Sequence, residues 1–253
     1  MRTAPRLLAC ATVLAFSLPT TLQAQTPAFS PAQQDEIRRI VKDYLIANPE
    51  VLQEAVGELE KRQAKVESDR SKEAVSKHRD EIFNSTRQVT LGNPNGDVTL
   101  VEFFDYNCGY CKRALNDMQE LLQGDPNLRV VLKEFPVLGP ASLEAAQIAV
   151  AVRMQDKSGK KYLDFHQRLL TGRGQVDKAR ALTAAKEAGA DMTRLDKDLK
   201  DPEIRATLEE TMKLAEVLGM NGTPSYVVGN TMIAGAVGSK VLKEHIQNAR
   251  RAN

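Results

Sequence analysis

Cys108 and Cys111 stand three positions apart where an apolar run meets a helical run, and this junction constrains the fold more than any other feature. Val98 to Phe104 has the look of a buried strand, and Lys112 to Gln123 follows with helical spacing. Its apolar face is Cys111, Ala114, Leu115, Met118, Leu121 and Leu122. A CxxC at a strand-to-helix turn is the layout of a dithiol redox site. The first sulfur then sits at a helix N-terminus, where unpaired N–H groups and the helix dipole stabilise negative charge. Lys112 and Arg113 add positive charge nearby. Cys111, one turn on, is placed to attack a mixed disulfide and release the partner.

A CxxC is also half of a zinc site. Tetrahedral zinc needs four ligands, and this chain has no second CxxC. His78, His166 and His245 are scattered and show no ligand spacing. No metal is expected from the spacing, although a lone dithiol also suits Cu(I), a soft ion that accepts two thiolates.

Residues 1–24 read as an export signal. Arg2 and Arg6 form the basic start, Leu7 to Leu18 the apolar stretch, and Leu22-Gln23-Ala24 a cleavage site. The stretch is too short to span a membrane. Cys10 lies before most of the apolar stretch, which argues against a lipid-modified cysteine. Without those 24 residues and their two arginines, 33 basic residues face 33 acidic ones. A balanced charge gives no electrostatic case for nucleic acid or an anionic membrane. Only Cys108 and Cys111 remain, so an exported chain of this kind has no structural disulfide framework.

Downstream, Ser30-Pro31 is a helix start, with Ser as cap and Pro at the first helical position. Ile37, Ile40, Val41, Tyr44 and Leu45 share one face. Asn48-Pro49 restarts a helix with Leu52, Ala55, Val56 and Leu59 on its apolar side. Short amphipathic helices gain most of their stability from packing. These two need the main domain or another copy of the chain. Glu58 to Glu81 differs, with 14 charged residues among 24. It reads as a solvated helical connection, or as the wet face of a packed helix. Val66, Val75 and Ile82 are too few for a coiled-coil seam.

From Gln88 the pattern turns to α/β. A short strand at Gln88 to Leu91 is followed by the turn Asn93-Pro94-Asn95-Gly96-Asp97, the Val98 strand, the cysteine helix and a strand at Leu128 to Leu132. Helical patterns fill about 141–218. Tyr226 to Val228 and Thr231 to Ala234 form a hairpin across Gly229-Asn230, and a last helix runs from Ser239 to Ala252. The expected boundaries are a signal at 1–24, a helical oligomerisation region at 25–60, a charged helical linker at 61–87, and a catalytic domain at 88–253 with a helical insertion at about 139–218.

The stretch Val101-Glu102-Phe103-Phe104-Asp105-Tyr106-Asn107-Cys108-Gly109-Tyr110-Cys111 resembles the DsbA family of exported thiol–disulfide oxidoreductases. Gly222-Thr223-Pro224 resembles that family's cis-proline loop, and the helical block resembles its inserted subdomain. Tyr44-Leu45-Ile46-Ala47-Asn48-Pro49-Glu50 resembles the extension of the ScsC-type subgroup. The resemblance implies a thioredoxin fold with a helical insertion, preceded by an α-helical extension through which copies associate. It implies that Cys108 attacks, that Cys111 resolves, and that Gly109, Tyr110, Thr223 and Pro224 meet the substrate. Glu102, mid-strand and six residues before Cys108, is expected to be buried, with a raised pKa, and to take the proton from Cys111. The plainer alternatives are an edge-strand position for Glu102 and an ordinary trans turn at Pro224.

Gly-Tyr between the cysteines and Thr before the proline resemble the isomerase side of the family rather than its strong oxidases. The expected activity is that of a periplasmic disulfide isomerase or reductase, working as a homo-oligomer through residues 31–59. Clients would be misfolded or oxidised exported proteins, and an ScsB- or DsbD-like membrane thiol reductase would keep the dithiol reduced. No organic cofactor is implied, because the dithiol carries the electrons. A DsbA-like oxidase, and a non-catalytic chaperone or Cu(I) carrier, are the competing expectations.

Overall fold

The structure is a computed structural model that describes residues 29–156 and 158–252. Residues 1–24, expected to be an export signal, and Cys10 within them lie outside the described residues. Two compact units divide at Glu60 and Lys61.

In the first unit, α1 (Pro31–Ala47) begins at a capping box. The Ser30 hydroxyl accepts from the Gln33 N–H, while the Gln33 side chain accepts from the Ser30 N–H at 2.9 Å. Two otherwise orphaned donors are thereby satisfied, so the sequence alone fixes this helix start. Asn48-Pro49 breaks the chain, and α2 (Glu50–Lys77) starts directly after it. Ile40, Val41 and Tyr44 of α1 and Leu52, Val56 and Leu59 of α2 are all at least half exposed. The expected apolar stripes are present, and none of these residues is buried.

The second unit is built on a five-stranded sheet in the order β1-β3-β2-β4-β5, where β1 is Val89–Gly92, β2 Val98–Phe104, β3 Leu128–Glu134, β4 Ser225–Val228 and β5 Thr231–Ala234. Strands β2 and β3 are parallel and joined through α4 (Gly109–Gly124); the other pairings are antiparallel. β2 is central and covered on both faces, which explains its unbroken apolar character. Leu100 and Phe104 point into one core with α4 and α10 (Ser239–Ala252). Val101 and Phe103 point into the other with α9 (Pro202–Val217). Between β3 and β4 stand α5 (Pro140–Met154), α6 (Lys160–Thr171), α7 (Lys178–Glu187), α8 (Met192–Asp198) and α9. This insertion occupies the stretch expected to be helical. The fold is α/β, a thioredoxin arrangement with an inserted helical block.

The boundary expected at Gln88 needs correction. Val75, Ile82 and Phe83 are buried in the second core, beside Val101, Phe103, Leu214 and Val227. The short α3 (Arg79–Phe83) and the segment after it are held by cations from the sheet and α5. Lys133 Nζ donates to the Glu81 carbonyl at 2.8 Å, Arg129 to Phe83 O at 2.7 Å, and Arg153 to Thr86 O at 3.0 Å. Arg87 pairs with Glu203 and Glu210 at 3.1 Å. The charged stretch 61–87 is therefore not a linker throughout. Residues 75–87 are part of the catalytic domain. A run of charges masked them, because Val75, Ile82 and Phe83 are sparse in sequence yet converge on one face.

We expect a chain beginning at Gln88 to be less stable than one beginning at Lys61 by about 5 kcal/mol, from the burial of three large side chains at roughly 1.5–3 kcal/mol each. Urea unfolding of the two would show it, and equal midpoints would contradict the packing of residues 75–87.

Candidate active site

The end of β2 and the start of α4 are joined by Asp105, Tyr106 and Asn107. Asp105 is fully buried and accepts four hydrogen bonds. Oδ1 takes the Asn107 N–H and the Ser142 hydroxyl, each at 2.7 Å. Oδ2 takes the Val137 and Leu138 N–H groups at 2.9 and 3.0 Å. Its carbonyl accepts the Cys108 N–H at 3.1 Å. One carboxylate thus fixes the cysteine turn, the loop after β3 and the first turn of α5. A buried carboxylate needs this many donors to offset lost hydration.

Cys108 is the N-cap of α4 in extended backbone conformation. Gly109 and Tyr110 form the first turn, and Cys111 follows fully buried. Both cysteines are thiols in this structure. The Cys108 thiol donates to the Thr223 carbonyl across 3.1 Å. The Thr223–Pro224 peptide is cis. The Pro224 carbonyl is occupied by the Gly235 N–H at 2.8 Å, so it is Thr223 that presents backbone to the dithiol. Tyr110 is 58% exposed, its ring covered by the Arg113 guanidinium at 4.5 Å.

Burial raises the Cys111 thiol strongly; contacts from the Asp105 backbone and the Thr223 side chain pull the other way. Glu102 lies on the α4 side of the central strand, opposite Tyr226 of β4. It is buried rather than at an edge, and desolvation followed by the charge of Asp117 raises it to about 8. The structure therefore brings together Cys108, Gly109, Tyr110, Cys111, Thr223 and Pro224, with Tyr110 exposed, both sulfurs and Pro224 buried, and Glu102 close enough for its charge to act on Cys111. No group of His, Cys, Asp and Glu that could hold a metal occurs among the described residues.

Several contacts at the site join segments distant in sequence. Asn107 bonds to both the carbonyl and the N–H of Val176, at 3.0 and 2.7 Å, and Lys112 donates to Gly172 O and Gly174 O at 3.2 and 3.0 Å. Both residues tie a loop some 65 positions away to the cysteine turn. Glu134 is buried in a cluster with Tyr162, Tyr106 and His166, where burial raises it to about 8. A groove of about 1380 Å³, lined by Val137, Leu143, Leu208, Met212 and Met220 among others, reaches Asn221 just before the cis-proline loop.

Residues 99–247 match the DSBA-like thioredoxin domain, and this chain belongs to that family. Residues 33–65 also match the N-terminal domain of the copper resistance protein ScsC. Among solved structures, a thioredoxin-like oxidoreductase from Silicibacter pomeroyi is 43% identical, covering 69% of this chain and 99% of its own, at a TM-score of 0.65. The thiol-disulfide exchange protein alpha-DsbA2 from Wolbachia pipientis is 31% identical over 72% of this chain and 96% of its own, at 0.66. Proteus mirabilis ScsC in a transitional conformation is 29% identical over 89% of this chain and all of its own, at 0.65. A Na(+)/H(+) antiporter NhaA 1 from Salinispora arenicola is 27% identical over 165 residues, 64% of this chain. The chain spans about a quarter of the length of the curated relatives it matches.

Glu102 folds with a pKa near 8 against 4.5 in an open chain. The folded state therefore retains a proton that the unfolded state releases. This group's contribution is full below pH 4.5, declines as pH rises, and is lost above about 8. Glu102→Gln should raise stability at pH 8 by on the order of 3–5 kcal/mol and barely change it at pH 4. Equal gains at both pH values, measured by denaturant titration, would refute the assignment.

Proposed function

We propose that this protein is an exported thiol–disulfide oxidoreductase acting as a disulfide isomerase or reductase on other exported proteins. The observation that carries the reading is the Cys108 sulfur at the N-cap of α4, 3.1 Å from the Thr223 carbonyl. A client strand laid along Thr223 would pair with backbone rather than side chains, which suits many sequences.

Cys108 as thiolate attacks one sulfur of a client disulfide, forming a mixed disulfide and releasing the other client sulfur as thiolate. In isomerisation that thiolate attacks a different client disulfide, the thiolate displaced there attacks the client sulfur of the mixed disulfide, and Cys108 leaves as the thiolate it began as. In reduction the Cys111 thiolate attacks Cys108, the Cys108–Cys111 disulfide forms, and the client leaves with two electrons. Cys111 gives up its proton for this step. Its thiol is held high by burial, so a nearby acceptor matters. A Glu102 carboxyl titrating near 8 passes a proton in either direction around neutral pH. A membrane thiol reductase of the ScsB or DsbD kind would return the two electrons, with no further cofactor.

Periplasmic location is supported by the signal-like residues 1–24 and by a neighbour from Salmonella enterica described as a periplasmic thioredoxin-like protein, 28% identical. Homo-oligomerisation through residues 31–59 is supported by the exposed Ile40, Val41, Tyr44, Leu52, Val56 and Leu59. Copies joined there would present several dithiols to one client, which would help hold it through successive exchanges.

The test is recovery of ribonuclease activity from its scrambled-disulfide form. The chain from Gln25 should restore activity, Cys108→Ser should restore none, and a chain from Lys61 should lose most of it while sedimenting as a monomer. Rapid oxidation of reduced ribonuclease with no unscrambling would replace the isomerase reading with that of an oxidase.

A further inference from the structure

We propose that the cysteine turn and the loop docked on it form a cationic surface that selects client segments carrying acidic residues beside the reacting cysteine. This rests on the thiol–disulfide reading and names the clients that the same site prefers.

Two stretches 60 residues apart in sequence make the surface. Asn107 holds the carbonyl and the N–H of Val176 from one side of the dithiol. Lys112 holds the carbonyls of Gly172 and Gly174 from the other. The loop 172–176 is thereby fastened to the residues that flank Cys108 and Cys111. Arg180 packs against Gly172, where a Cβ would collide with its guanidinium, and donates to the Arg173 carbonyl. The Arg113 guanidinium lies over the ring of Tyr110, which is in the first turn of α4 close to Cys108.

Residues 107–113 and 172–180 carry Lys112, Arg113, Arg173, Lys178 and Arg180 against a single acid, Asp177. The formal balance of these 16 residues is +4, whereas the whole 253-residue chain is +2. Asp177 is engaged as the N-cap of α7, accepting the Arg180 N–H at 2.9 Å. Among the described residues none of Lys112, Arg113, Arg173 and Arg180 is in an ion pair with a carboxylate. Lys112 and Arg180 spend donors on carbonyl dipoles, which leaves their charge unneutralised. Arg113 and Arg173 are exposed. Such a field raises the local concentration of anionic partners and fades with salt.

Three short peptides, each with one cysteine in a disulfide with a neutral small thiol, serve as probes. They differ only in carrying two Glu, two Gln or two Lys beside the cysteine. The full-length chain with Cys111→Ser traps the Cys108 mixed disulfide, which is read by mass. We expect the Glu peptide to react about tenfold faster than the Lys peptide at low ionic strength, with Gln between them, and the ratio to collapse towards one in 0.5 M salt. Adding Arg113→Gln and Arg173→Gln should cut the low-salt ratio at least threefold. Ratios to the Gln peptide cancel any change in the intrinsic reactivity of Cys108. Equal rates for the three peptides, or a ratio that ignores both salt and the substitutions, overturn the charge selection and leave the thiol chemistry standing. Failure of every peptide while a thiol reagent still labels Cys108 overturns the oxidoreductase reading, and this proposal with it.

Discussion

The four hydrogen bonds to the Asp105 carboxylate are the constraint on which the dithiol region depends. They join β2, the cysteine turn, the Val137–Leu138 loop and α5 at one buried point. Because the donors include three backbone N–H groups, the carboxylate fixes chain path rather than side-chain rotamer. An amide in its place would turn an NH2 group towards donors. The same residue's carbonyl caps the approach to Cys108. The helix N-terminus, the sulfur and the Thr223 carbonyl therefore share one frame. Docking of the helical block onto the sheet is part of the same frame, since Ser142 belongs to α5.

Burying the central strand on both faces has a cost at Glu102. A carboxyl in an apolar strand with Asp117 nearby keeps its proton to about pH 8. Selection for stability alone would remove it. Glu134 is held equally high but is embraced by two tyrosine hydroxyls, and it lies in a cluster that ties β3 to α6. The contrast separates their roles. Glu134 is a satisfied packing element, whereas Glu102 has no hydrogen-bond partner among the described residues and lies beneath the more buried cysteine. A buried acid held protonated close to a thiol is consistent with the proton-transfer role proposed for Glu102.

The elements themselves were legible in the sequence because each was locally consistent. The Val98–Phe104 strand, the helix start at Ser30-Pro31, the hairpin across Gly229-Asn230 and the helix carrying Cys111 all follow from period and turn chemistry. The dithiol, the acid beneath it and the proline loop could be singled out as residues. What could not be read was anything that depends on two distant segments meeting. Val75, Ile82 and Phe83 looked like stray apolar residues in a charged run, and only the cations Arg129, Lys133 and Arg153 reveal them as part of the domain. Asn107 and Lys112 stand out in the sequence only by their place beside the cysteines, not by the loop they hold. Their partners lie in a glycine-rich loop whose own sequence suggests only a break between helices.

One device recurs in these hidden contacts, namely a cationic side chain donating to backbone carbonyls instead of to a carboxylate. In the interior, Lys133 on Glu81 O makes a directional tie without bringing a second charge out of water. The tie has a cost, because burial lowers this lysine to about 8. At the surface the same geometry has the opposite consequence. Lys112 and Arg180 fasten the 172–176 loop, yet their charge is met only by dipoles and stays available to solvent and partners. A carboxylate would have held the loop as well and neutralised the field. Pairing with carbonyls lets one set of residues position the loop and give the dithiol a cationic border, in a chain whose net charge is only +2.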